Sequence, residues 1–192
     1  MSLAIENILR PLFNPGGKYA GKVKVMFRNQ VQPWHSSSTF VHEAGLAVAR
    51  IAPEHFWAFS LALFKNQEEY FDIPTSTLTP LQIREKLSQL AAYSIQQGST
   101  PVNRDPSPRH IVPQLIGGNG IASEVGELLK LKSSPNGGVD VTDDLKYTVK
   151  FSRQNGIHVS PTVLWDGIVA GEVSSGWGEK EWLEFLEKKV QV

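Results

Sequence analysis

The stretch Thr162-Val163-Leu164-Trp165-Asp166-Gly167-Ile168-Val169 constrains this chain more than any other. Asp-Gly closes two-residue hairpins because both central residues of such a turn need positive φ, and here apolar residues flank the pair on both sides. The pattern predicts two short antiparallel strands, 162–165 and 168–173, turning at Asp166-Gly167. Just upstream, Asn155-Gly156 reads as a left-handed helix stop, and Pro161 stands immediately before the first strand.

The rest of the chain reads mostly as helix. Leu3, Ile5, Ile8, Leu9 and Leu12 recur at helical spacing, predicting a helix over 3–13 that ends at Asn14-Pro15-Gly16-Gly17. Val23, Val25 and Phe27 alternate with Lys24, Met26 and Arg28, which predicts a strand over 22–29. After a loop to His35, the serines Ser36, Ser37 and Ser38 offer N-caps to a helix over 37–51, and Pro53 opens a second, unusually apolar one to about Lys65. Thr79-Pro80-Leu81-Gln82 carries a capping box for a helix to about Gln96. Residues 98–113 hold four prolines and read as an irregular loop, and Gly117-Gly118-Asn119-Gly120 as a turn before a helix over 121–131. A surface loop over 133–138, a helix over 143–154 and a closing helix over 178–188 complete the pattern. Helix, strand, helical insert, helix, hairpin and helix together predict an α/β fold: a small mixed sheet covered by helices on both faces.

Composition narrows the chemistry. The chain of 192 residues contains no cysteine, which removes disulfides, thiolate nucleophiles and Cys-x-x-Cys redox work. Lysine plus arginine number 19 against 19 acidic residues, and no basic stripe points to nucleic acid or to an anionic membrane. No apolar run has the length of a membrane span, and residues 1–13 lack the charged start and apolar block of a signal peptide, so the cytoplasm is the expected compartment.

Three segments resemble the DsbA-like branch of the thioredoxin superfamily. Gly156 to Gly167 is similar to that family's helix end, cis-proline loop and β-hairpin. The helical stretch 37–132 is similar to its insert. Lys22 to His35, with Val-Lys-Val-Met-Phe followed by Gln32-Pro33-Trp34-His35, is similar to the second strand and following loop of eukaryotic, often fungal, members. The resemblance implies one thioredoxin-like domain over 1–192, with a core of 3–31 and 140–190. It also implies that the first strand and the redox motif are missing, since the chain begins about where that motif would end. An alternative alignment sets Gln32 and His35 at the two cysteine positions.

The resemblance makes Pro161 a cis-proline and the backbone of Ser160 a strand partner for a bound peptide, with Val159 beside it. Trp34 and His35 have two readings. They form a ligand-facing patch with His35 as acid or base, or Trp34 packs on the helical insert while His35 touches a helix start. Ser36 to Ser38 lie near His35 at a helix N-terminus but have no evident orienting residue for nucleophilic chemistry. His42, His110 and His158 lack metal-ligand spacing, and Glu54, Glu68, Glu69, Asp143 and Asp144 read as surface charges.

The expected function is therefore a non-redox binding or scaffold protein that takes a peptide or small molecule at the proline loop. The first alternative is a glutathione-dependent isomerase or transferase similar to the kappa class, with glutathione as its cofactor and Ser2 near the thiol-holding position. The others are a truncated oxidoreductase-like chain, and a subunit or homo-oligomer whose missing strand another chain supplies.

Overall fold

The structure, a computed structural model, describes residues 1–98 and 118–190. It divides into two compact units, Met1–Arg28 with Phe151–Val192, and Asn29–Lys150. The expected helical insert, 37–132, lies inside the second. The expected irregular loop over 98–113, including His110, lies almost wholly outside the described residues, as does Gly117.

The α/β expectation is overturned. The described residues are mostly helical, and their only sheet is a two-stranded antiparallel ribbon, β1 (Leu164–Trp165) and β2 (Ile168–Val169). The alternating segment 22–29 forms no strand. Alternation equips one face for burial, but a strand exists only through a ladder to a neighbour, and no described residue supplies one. A small mixed sheet of the thioredoxin-like kind is therefore absent from the described residues.

In the first unit the N-terminal helix is α-helical at Ser2–Ala4, π-helical at Ile5–Leu9 and α-helical again at Arg10–Phe13. The wide turn comes just before Pro11, whose ring would collide with the carbonyl four residues back in a regular helix. The chain then doubles back beneath that helix. A Cβ at Gly17 would sit 2.4 Å from the carbonyl oxygens of Pro11 and Leu12, so only glycine permits the approach, and the Tyr19 N–H donates to the Leu12 carbonyl at 2.9 Å. Tyr19 and Leu9 thereby join Trp182, Phe185, Leu186, Ala170 and Val190 in one apolar core. Trp182, Phe185 and Leu186 lie on one face of the Glu179–Lys189 helix at spacings of three and four, as their periodicity predicts.

The second unit is a helix assembly. Ser38–Ile51 buries Ala44, Ala47 and Val48, whose small side chains let its neighbours approach closely. Pro80–Gly98 contributes Ile83, Leu87, Ala91 and Ile95, four apart along one stripe, and Gly118–Leu128 contributes Val125. A 3-10 turn, Pro53–His55, precedes the apolar helix Phe56–Lys65. The expected capping box forms: the Gln82 N–H donates to Thr79 Oγ1 at 3.2 Å and the Thr79 N–H to Gln82 Oε1 at 2.8 Å. Gly118 to Gly120, expected as a turn, instead begin the Gly118–Leu128 helix. No helix among the described residues is long and apolar enough to cross a membrane.

Candidate binding site

The five residues singled out from the sequence fall into two groups, Val159, Ser160 and Pro161 in the first unit and Trp34 and His35 in the second. Each is built by its own unit.

The first group begins where the Thr142–Gln154 helix stops. Gly156 has φ of +65°, the Ile157 N–H reaches back to the Ser152 carbonyl at 2.8 Å, and the Gly156 N–H to that of Arg153 at 3.3 Å. These are the paired bonds of a Schellman stop, and they aim the chain into the proline loop. The Ser160–Pro161 bond is cis, and the Thr162 hydroxyl closes the loop by donating to the Val159 carbonyl at 2.6 Å.

The hairpin follows in the expected register, Leu164 opposite Val169 and Trp165 opposite Ile168. Asp166 and Gly167 both have positive φ, +47° and +84°, as a primed turn requires. The ladder is shorter than the sequence suggests. It continues only through the Ala170 N–H to the Val163 carbonyl, and a turn from Ala170 to Val173 ends it.

Aromatic packing holds the hairpin in place. The Trp165 ring meets Phe185 edge-on at 5.5 Å, and Phe185 lies against Trp177 and Trp182 at 5.7 and 6.1 Å. Around the loop, Val159 is 55% exposed, Ser160 and Pro161 are exposed, and in the hairpin beyond it Ile168 is 76% exposed. The Ser160 N–H and C=O make no hydrogen bond among the described residues. An unpartnered amide on an exposed loop that is fixed at both ends can pair with the backbone of an extended ligand.

In the second unit Trp34 is 64% exposed, so most of its surface lies outside any packing on the helices. His35 does touch a helix start, that of Asp72–Thr75. Its Nδ1 lies 3.0 Å from Asp72 Oδ2, while Asp72 Oδ1 accepts the Ser36 N–H at 3.2 Å. Those two bonds, the His35 one foremost, hold the Asp72 carboxyl below its ordinary pKa. Neither Ser37 nor Ser38 caps the Ser38–Ile51 helix through its side chain. Both are buried and otherwise engaged: the Ser37 hydroxyl donates to the Tyr70 carbonyl, and Ser38 Oγ accepts the Gln32 N–H at 2.9 Å. These bonds tie the loop before the helix to the Gln67–Tyr70 turn and make the serines structural.

Two constellations escaped sequence reasoning. Asp72 supplies the orienting carboxylate for His35, but 37 positions separate the pair and nothing local links them. Glu43, one residue after His42, is buried against Arg84 with Arg84 Nη2 at 2.9 Å from Glu43 Oε2, and the Arg84 guanidinium also stacks over Phe40 at 4.6 Å. The one available signal is that both charges sit on the apolar stripes of their helices, Glu43 beside Ala44 and Ala47 and Arg84 beside Ile83 and Leu87.

Compared with models of protein families, with curated proteins and with solved structures, the chain matches none.

Proposed function

We propose that the protein is a non-redox binding protein that receives an extended peptide at the Val159-Ser160-Pro161 loop. The observation that carries this reading is the Ser160 amide and carbonyl, which make no hydrogen bond among the described residues, on an exposed loop beside the exposed Val159. The absence of cysteine from the whole chain removes thiol–disulfide exchange and leaves recognition as the chemistry of the loop.

The peptide's backbone would pair with Ser160, while its side chains, alternating in direction, would set one apolar group on Val159. The test is a titration of the isotopically labelled full chain with the neutral heptapeptide Ser-Val-Ser-Val-Ser-Val-Ser and, separately, with reduced glutathione. Saturable amide shifts within 159–169 on adding the heptapeptide, abolished in Val159→Asp, are the expected result. Shifts there with glutathione but not with the heptapeptide would transfer the site to a glutathione-dependent enzyme. Shifts with neither ligand would refute the reading.

A further inference from the structure

The first unit carries a second feature, independent of the proline loop: a strand-like sequence that is not in a strand. Val23 to Arg28 alternates apolar and mostly basic residues, and the backbone groups of Val23, Lys24, Val25, Met26 and Arg28 make no hydrogen bond among the described residues. The segment is anchored at both ends. Val23 packs, as Val163 and Trp165 do, against the core of Tyr19, Trp182 and Leu186, and the Arg28 guanidinium stacks over the Phe151 ring at 4.2 Å. Between these anchors Val25 and Phe27 are exposed, and Met26 is 71% exposed.

The charged residues of 22–28 have one sign. Among the described residues Lys22, Lys24 and Arg28 take part in no ion pair, whereas neighbouring Lys18 is held by Glu187 at 2.6 Å. Lys22 closes a turn, its N–H on the Tyr19 carbonyl at 3.0 Å, and beyond it an extended pairing would set Lys24 and Arg28 on one side and Val23, Val25 and Phe27 on the other.

We propose that Val23–Arg28 is a docking edge for an extended segment of another protein in which acidic residues alternate with apolar ones, bound by strand addition. Backbone pairing would satisfy open N–H and C=O groups of Val23 to Met26 and of Arg28, and carboxylates spaced two residues apart would face Lys22, Lys24 and Arg28. The same charges disfavour a second copy as the occupant. Antiparallel self-pairing about Met26 sets Lys24 opposite Arg28, pairing about Val25 sets Lys22 opposite Arg28, and in-register parallel pairing sets each lysine opposite itself.

The experiment uses the labelled full chain and three capped heptapeptides. They are Glu-Val-Glu-Val-Glu-Val-Glu, the same peptide N-methylated at every residue, and Lys-Val-Lys-Val-Lys-Val-Lys. The acidic peptide should bind saturably, shift the amides of residues 22–28, and weaken as salt is raised. The double charge reversal Lys22→Glu with Lys24→Glu, both at exposed side chains, should weaken it about tenfold or more. N-methylation should abolish binding, because it removes the donors that a ladder needs. No saturation by the acidic peptide, equal binding of the basic peptide, or equal binding of the N-methylated peptide would each overturn the proposal. So would shifts confined to 159–169, which would assign the acidic peptide to the proline loop instead.

Discussion

Arg84→Met is the perturbation that most sharply tests the energetic account of the second unit. Arg84 and Glu43 retain only 9% and 5% of their side-chain exposure, so each charge has given up nearly all its hydration and keeps one ionic partner at 2.9 Å. Removing the cation leaves a buried carboxylate without a counter-charge, which costs about 3–5 kcal/mol in comparable sites. Loss of the guanidinium stacked on Phe40 adds about 1 kcal/mol. A domain is typically stable by only about 5–15 kcal/mol, so the variant should be close to its unfolding threshold at room temperature. Glu43→Leu combined with Arg84→Met removes both charges and should recover most of the loss, since an apolar pair of similar volume is about neutral or better. Urea denaturation followed by circular dichroism, on the wild type, both single variants and the double variant, measures the coupling directly. A loss below about 1 kcal/mol for Arg84→Met, the value of an exposed pair, would show that water reaches the site and would refute the reasoning.

His42 is the first of the remaining tests. Burial lowers its pKa, partly opposed by its Nδ1 bond to the Ser38 carbonyl at 2.7 Å. A lowered folded pKa means stability that is present above the unfolded value of about 6.5 and lost as pH falls below it, so the denaturation midpoint should drop between pH 7 and 5 more steeply in the wild type than in His42→Asn. Tyr70 runs the other way, since burial, with a smaller contribution from Glu69, pushes its hydroxyl up to about 12. Stability should therefore fall as pH rises from about 10 toward that value, and Tyr70→Phe should flatten the slope. Gly167→Ala places a Cβ in open space but at a φ of +84°, so its cost is backbone strain alone, about 1–2 kcal/mol by denaturation; no measurable change would argue against the primed turn.

Local signals proved the most legible part of the fold. The Asp166-Gly167 turn, the Thr79 to Gln82 capping box and the Gly156 stop each depend on a few adjacent residues, and each forms as its chemistry dictates. Helix periodicity located the Trp182, Phe185 and Leu186 face for the same reason. The expectation that failed was the one needing a distant partner. Val23, Val25 and Phe27 have the spacing of a strand, yet a strand is a relation between two segments, and the sequence of one carries no information about whether the other exists. Only the hairpin, whose two strands are joined by their own turn, escapes that limit.

The same distinction sorts the candidate site. The Val159–Pro161 loop was legible because its two supports, the Gly156 stop and the hairpin, are its immediate neighbours in sequence. The His35–Asp72 pair was not, because a carboxylate can meet an imidazole from any position that tertiary packing brings near it. Here the approach is made by the Ser37 hydroxyl bond to Tyr70, a contact between two buried groups far apart in the chain. Three serines in a row before a helix suggested caps, and a local reading gave no reason to prefer anything else. What displaced that role was the unmet carbonyl of Tyr70 and the unmet amide of Gln32, since a buried backbone group without a partner costs more than a helix end left to water. Where a polar side chain can satisfy either its own helix or a buried group elsewhere, burial decides, and burial is the property a single sequence reports least directly.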